Sequence, residues 1–207
     1  MKKIALFFST LAGFGAMLAF LYIAIASLAF DAGNYPDAPP FDAMSRELIA
    51  YLAGKQPALS QELFISQEII HMEDVLRLFR AGKTIAVCAG CMAVVVIGAL
   101  LVMHKQKELV RGVYIGMLAF AGVCLVLGLW ALLHFESWFI AMHRLLFTNE
   151  LWLFDPKESM LIQMLPITFF EKAVLTIAGR FALLSGIFAL LMQGCKRIKR
   201  EKNHDGI

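Results

Sequence analysis

The chain has 207 residues, 60% of them hydrophobic and 17% charged, with a mean hydropathy of +0.72. A soluble domain is about 45–50% apolar and about 25% charged, so the excess apolar surface must face something other than water. The net charge is only +3 and the charges are clustered, which gives no reason to expect a nucleic-acid partner. Cys88, Cys91, Cys124 and Cys195 all lie within or at the ends of apolar runs. Cys88-x-x-Cys91 is embedded in IAVCAGCMAVVVIGALL, and a lone pair cannot close a four-ligand metal site. The cysteines are therefore expected to be small packing residues, and no metal is assigned.

A bilayer crossing needs roughly 20 mostly apolar residues. Four stretches qualify: 4–30, 84–103, 113–133 and 173–192. The first follows Lys2-Lys3 and contains Ala24-Ile-Ala26, which resembles a cleavage site. Its apolar run exceeds the roughly 7–15 residues of a signal-peptide core, so it reads as an uncleaved anchor. In the loop 31–83, APPFDAMSRELIAYLAG predicts a short helix after Pro39-Pro40, ended by Gly54 and striped by Leu48, Ile49 and Leu52. LFISQEIIHMEDVLRLFR predicts a second, amphipathic helix with Ile69, Met72, Leu76 and Phe79 at helical spacing. It runs almost directly into the second span at Thr84. The loop 134–172 carries Phe135, Trp138, Phe139, Phe147, Trp152, Phe154, Phe169 and Phe170, a density suited to the membrane interface. Gly112-x-x-x-Gly116 is too weak a pattern to argue dimerisation.

Orientation follows from Lys and Arg asymmetry. The N-terminus, the short loop 104–112 and the tail carry a net charge of +7, against −5 for the two longer loops. The basic side is expected in the cytoplasm, with the CKRIKREK tail as a headgroup anchor. The expected fold is an all-α membrane protein forming a single domain over 1–207. It has four transmembrane helices, both termini cytoplasmic, and an extracytoplasmic helical cap built from 31–83 and 134–172.

Two histidines stand out. If EIIHMEDV is helical, Glu68, His71 and Asp74 share one face. His143 lies in FIAMHRLLFTNELWLFDP, about ten residues beyond the third span. Each alone reads first as a hydrogen-bonded interface residue; their shared side and depth raise the case for a joint site. His104 and His204 fall among cytoplasmic lysines, and His134 at the end of the third span. Asn149, Asp155, Glu73 and Asp74 are candidates to orient the histidines or support the loop, while Pro156 and Pro166 shape backbone. Arg180, about two turns inside the fourth span, either snorkels outward or meets a cap carboxylate or substrate carbonyl.

QEIIHMEDVLRLF, followed by MHRLLFTNELWLFDPKESMLIQMLPITFF, resembles the lipoprotein intramolecular transacylase family, Lit; ELIAYLAG is similar more weakly. The resemblance covers nearly the whole chain, including the four-span layout. It implies a membrane acyltransferase acting on bacterial lipoproteins whose N-terminal cysteine carries an S-diacylglyceryl group. The sn-2 acyl chain moves to the cysteine α-amino group, giving the N-acyl-S-monoacylglyceryl (lyso) form. The family's two catalytic histidines match His71 and His143, and no cofactor is implied. The substrate lipopeptide and membrane lipids are the implied partners. The residues agree chemically: a substrate amine is the nucleophile, so no Ser or Cys nucleophile motif is required, and imidazole can accept its proton. Phe147, Trp152 and Phe154 are candidate pocket walls, or equally a plain interfacial belt. The competing readings are a metal-dependent hydrolase with Glu68, His71, Asp74 and His143 as ligands, although H-E-x-x-H is absent, and a non-catalytic scaffold.

Overall fold

The computed structural model describes residues 2–202, with side chains described up to Cys195. The basic tail side chains and His204 lie outside the described residues. Seven α-helices and one short 3-10 turn account for the regular structure, with no strand among the described residues. In chain order the helices are α1 (Lys2–Ala29), α2 (Phe41–Leu52), α3 (Ser66–Val102), α4 (Gln106–Leu133), α5 (Phe135–Leu146), α6 (Met160–Met164) and α7 (Ile167–Lys202). Helices α1, α3, α4 and α7 are long and apolar enough to cross a membrane. The predicted second loop helix and second span form one helix, α3, because Ala81-Gly82-Lys83 does not break it. Its 37 residues extend about 55 Å at 1.5 Å per residue, well beyond a hydrocarbon core of about 30 Å. The charges Glu68, Glu73, Asp74, Arg77, Arg80 and Lys83 all precede Thr84, so the span is the C-terminal half.

The chain divides into two compact units, each described by itself. The first comprises Met1–Ala24, Lys83–Leu127 and Ala178–Ile207. Its core packs Ala12, Ala16, Met17, Leu109, Val113 and Met117. Here α1 and α4 meet at backbone distance. A Cβ on Gly112 would lie 1.9 Å from Ser9 Oγ, and one on Gly116 would lie 2.2 Å from the Thr10 carbonyl oxygen. Gly112-x-x-x-Gly116 thus serves a contact within the chain, the close approach that small residues allow between membrane helices. Ser9 Oγ closes the same seam with a hydrogen bond to the Glu108 carbonyl at 3.1 Å. Outward positions such as Val94 (71% exposed) and Leu118 (70%) are apolar, as lipid contact requires. Cys88 and Cys91 are free thiols on this exposed surface rather than packed in the core.

The second unit comprises Ile25–Gly82 and Gly128–Ile177. Helix α2 ends where the sequence places its stop. Gly54 adopts φ 73°, the Gly54 N–H donates to the Tyr51 carbonyl, and the Lys55 N–H to the Ala50 carbonyl, each at 2.9 Å. This is a Schellman cap, which favours glycine at the left-handed position. Leu48 and Leu52 are buried as predicted, together with Met44, Tyr51, Met72, Leu76, Leu161 and Met164, while Ile49 is half-buried. Ile69 and Phe79 pack against the same core. Glu47 ties the chain after α2 back to it, accepting from both the backbone N–H and the hydroxyl of Ser60.

Candidate functional site

Glu68 organises the start of α3. It is 1% exposed, and its carboxylate accepts from the Ile65 N–H at 3.0 Å, one half of a capping box. Its other oxygen accepts from Ser159 Oγ at 2.6 Å and the Leu161 N–H at 2.8 Å, fixing the start of α6. One turn further along α3 stands His71, and one turn beyond that Asp74. Gln67, His71 and Asp74 thus form a stripe at helical spacing, and its two ends hold the 149–153 segment. Gln67 Nε2 donates to the Leu151 and Leu153 carbonyls at 3.0 and 3.1 Å. Asp74 accepts from Asn149 Nδ2 at 2.9 Å while pairing with Arg77 at 3.0 Å. Trp152 Nε1 donates to the Asn149 carbonyl at 3.1 Å, locking the indole to the same turn.

This stitching sets His71 beside His143. The two rings are buried and nearly parallel, with centroids 6.3 Å apart and an interplanar angle of 25°. Aromatic rings enclose them. Phe147 lies 4.9 Å from His71 and 5.6 Å from His143, Phe154 lies 5.5 Å from His71, and Trp152 lies 4.9 Å from His143. Phe139, one turn before His143 on α5, has its ring 4.0 Å away.

The electrostatics keep both imidazoles neutral. Burial, with a smaller contribution from nearby His143, pushes His71 down to about 4 against the opposing pull of the Asp74 carboxylate. Burial also lowers His143, against a hydrogen bond that supports its charged form. That bond, Nδ1 to the Phe139 carbonyl at 2.8 Å, identifies the tautomer, because a carbonyl can only accept. Nδ1 therefore carries the proton, and Nε2 presents a lone pair. His71 Nδ1 is buried without a hydrogen-bond partner in the protein, an arrangement that structural histidines rarely show.

Of the side chains picked out in the sequence, His71, His143, Phe147, Trp152 and Phe154 come together as one cluster, and Asp74 anchors it through Asn149. Arg180 lies in α7, half-buried, in the first unit. Among the described residues no group of three His, Cys, Asp or Glu is placed to hold a metal ion. Glu68, one member of the suggested ligand set, already has both oxygens engaged by protein donors. Asp155 accepts from the Lys157 N–H at 2.8 Å and shapes its own turn rather than a histidine. Three contributors were not anticipated. Phe139 was findable, lying one helical turn before His143. Ser159 had the signature of a helix N-cap before MLIQM, and accepts from the Ile162 N–H. Gln67 had no distinguishing signal.

Fold and site together define a class: an all-helical membrane protein with four apolar helices and a buried histidine pair walled by aromatic rings. The chain belongs to the lipoprotein intramolecular transacylase Lit family, whose model matches residues 3–170, and is accordingly a membrane acyltransferase. It is similar to the in meso structure of the membrane integral transacylase Lit from Bacillus cereus, with a TM-score of 0.81 and 21% identity, over 97% of this chain and 100% of that one. Two variants of that protein, in which one histidine is replaced by arginine or by alanine, match with TM-scores of 0.75 and 0.74 at 22% and 21% identity. The first covers 98% of this chain and 95% of that one, the second 97% and 96%. At such identities the likeness establishes the fold. No curated protein sequence matches the chain.

Proposed function

We propose that the chain transfers the sn-2 acyl chain of an S-diacylglyceryl cysteine to the α-amino group of the same cysteine, with His71 and His143 handling the protons. The observation that carries this reading is the buried, neutral, near-parallel histidine pair inside an aromatic wall. The amine nitrogen attacks the ester carbonyl, forming a C–N bond as the bond between the acyl carbon and the glyceryl oxygen breaks. The proton lost by the amine must reach the departing glyceryl oxygen. His143, with its Nδ1–H given to Phe139, has Nε2 free to accept the amine proton. His71, neutral, retains one ring N–H and can donate it in a hydrogen bond to the ester carbonyl oxygen, where negative charge develops as the amine adds. His143, carrying the proton taken from the amine, delivers it to the departing glyceryl oxygen and is neutral again, so the cycle consumes no external acid. Both reacting groups belong to one molecule, so holding them in place removes most of the entropic barrier. The cap carrying the site faces the outside of the cytoplasmic membrane in this reading, supported by the charge asymmetry.

The test is mass spectrometry of a diacylated lipopeptide incubated with the purified protein. The expected product has unchanged mass, with the acyl group on nitrogen. A substrate whose α-amino group is acetylated should be inert. Release of its sn-2 chain as free fatty acid would make the protein an esterase. Activity should survive treatment with a strong chelator; loss restored by a divalent ion would establish the metal-dependent hydrolase instead.

A further inference from the structure

Next to the histidine pair the second unit contains a cavity of about 390 Å³ whose lining includes Arg144, Phe147, Thr148, Glu150 and Trp152. Ligand sites typically measure about 300–1,000 Å³. Phe147 and Trp152 belong to both features, since they line the cavity and also touch the His143 ring, at 5.6 and 4.9 Å. A group seated in the cavity therefore ends one ring away from His143. The wall is held in place, because Trp152 is bonded to Asn149, Asn149 to Asp74, and the following strand of backbone to Gln67.

Arg144, Thr148 and Glu150 in the lining are polar groups that an acyl chain does not need. Arg144 follows His143 directly, so one residue of α5 turns into the core while its neighbour turns to the cavity. Arg144 only donates hydrogen bonds and Glu150 only accepts them. An extended peptide offers the complement of both, carbonyl oxygens and N–H groups. A phosphate offers acceptors alone, and the Glu150 carboxylate would repel it.

We infer that this cavity is the peptide subsite, receiving the residues that follow the acylated cysteine, with Arg144 and Glu150 binding their backbone. The inference rests on the transacylase reading and adds to it the portion of the substrate that must leave the lipid. It follows from the amphiphilic nature of that substrate, whose acyl chains demand apolar surroundings while its peptide demands polar ones.

The experiment uses S-diacylglyceryl cysteine amide extended by zero, one, two or three residues, presented to the full-length protein in phosphatidylcholine vesicles. With wild type, kcat/KM should rise about tenfold over the first added residues, mainly through KM, the worth of one or two hydrogen bonds. In Arg144→Gln and Glu150→Gln that gain should shrink toward one. The same gain in the variants as in wild type would overturn the inference, as would a loss equal for every substrate length. Repeating the series with phosphatidylglycerol in the vesicles tests a headgroup instead. A defect in Arg144→Gln that appears only with the anionic lipid would assign the cavity to lipid and overturn the peptide assignment. If wild type converts none of the substrates, the transacylase reading itself fails and the subsite falls with it. If it converts all lengths equally, only the subsite falls.

Discussion

His71 and His143 make a quantitative demand on the pH dependence. Both are held below the ordinary imidazole value, His71 at about 4, whereas the substrate's α-amino group titrates near 7.7–8.0. The amine, not the histidines, should therefore set the neutral limb. Transfer should fall about tenfold per unit below pH ~7.5 and steepen only at lower pH, below the ordinary imidazole range, because burial holds both histidines down. A single break near 6.5 in a kcat/KM profile would mean that the amine is not the nucleophile. Stability carries the same signature with a different window. A histidine depressed on folding binds fewer protons native than unfolded, so its contribution is complete above pH ~6.5 and lost as pH falls toward 4. For His71 the effect is at most about 3 kcal/mol, read as a drop in Tm between pH 7 and 4.5 that His71→Phe should flatten. Replacing either histidine by alanine should lower transfer about 10²–10⁴-fold with the protein still folded. The double variant should be little worse than either single one, because the two act as a unit. His104→Ala should be nearly silent. His104 ends α3 in a Schellman turn, at φ 54°, with its backbone and not its ring engaged.

At the scale of elements, the site depends on how α3 holds the 149–153 segment. Asn149→Asp should break the 2.9 Å bond by setting two carboxylates together, and Asp74→Asn should weaken it, exchanging a charged acceptor for an amide oxygen and losing the Arg77 pair. Misplacing Trp152 by an ångström or so should cost up to about 10²-fold in kcat. The double exchange re-forms an amide–carboxylate bond with donor and acceptor reversed, and should recover much of the loss. Failure of the exchange to recover anything would show that Asp74 acts otherwise than through Asn149. Glu68→Ala should act on stability instead. It leaves the Ile65 and Leu161 N–H groups and a buried hydroxyl unpaired, at about 1–3 kcal/mol each before relaxation. Thermal unfolding in detergent checks this, and an unchanged Tm would mean water replaces the carboxylate at little cost. These contacts also mark where the sequence stops being legible. Local rules placed α2, its glycine stop and its buried Leu48 and Leu52, because periodicity and turn chemistry act within a few residues. The single helix α3 was read as two pieces meeting at Thr84, since composition changes there although the backbone does not. Asp74 and Asn149 are 75 residues apart. Nothing in either segment names the other, so their partnership could be suspected but not assigned.

For the whole molecule, the apolar surface and the charge distribution point to the same arrangement by independent routes. The most apolar stretch of α7 has none of its residues buried within the chain, and α3 and α4 bury only 17% and 22% of theirs. Such surface would collapse or aggregate in water, and only a bilayer accommodates it on a folded chain. If all four apolar helices cross, both termini lie on one side and the loops 31–83 and 134–172 share the other, whichever side that is. On that arrangement the segments carrying His71 and His143 face the same compartment, and only the sign remains to be chosen. The basic side carries +7 against −5 for the other. Lys and Arg near span ends are retained in the cytoplasm, so the expected outcome is a histidine pair facing outward, the side on which the proposed lipoprotein substrate is presented. Reporter fusions after Lys107 and after Arg200 should give a cytoplasmic signal, and those after Gly54 and Pro156 an external one. Uniform reversal of all four signals would keep the fold and move the site to the cytoplasm, removing it from that substrate. A mixed pattern, such as Lys107 outside with Arg200 inside, would mean that one of the four apolar helices does not cross, and would separate the two loops. Reversing the Lys and Arg asymmetry, from ten against eight to six against twelve, by placing four lysines in the 31–83 loop while neutralising Lys2, Lys3, Lys105 and Lys107, should lower the correctly oriented fraction. If orientation ignores that change, then the charges do not set it, and the outward placement of the histidines must rest on some other signal in the chain.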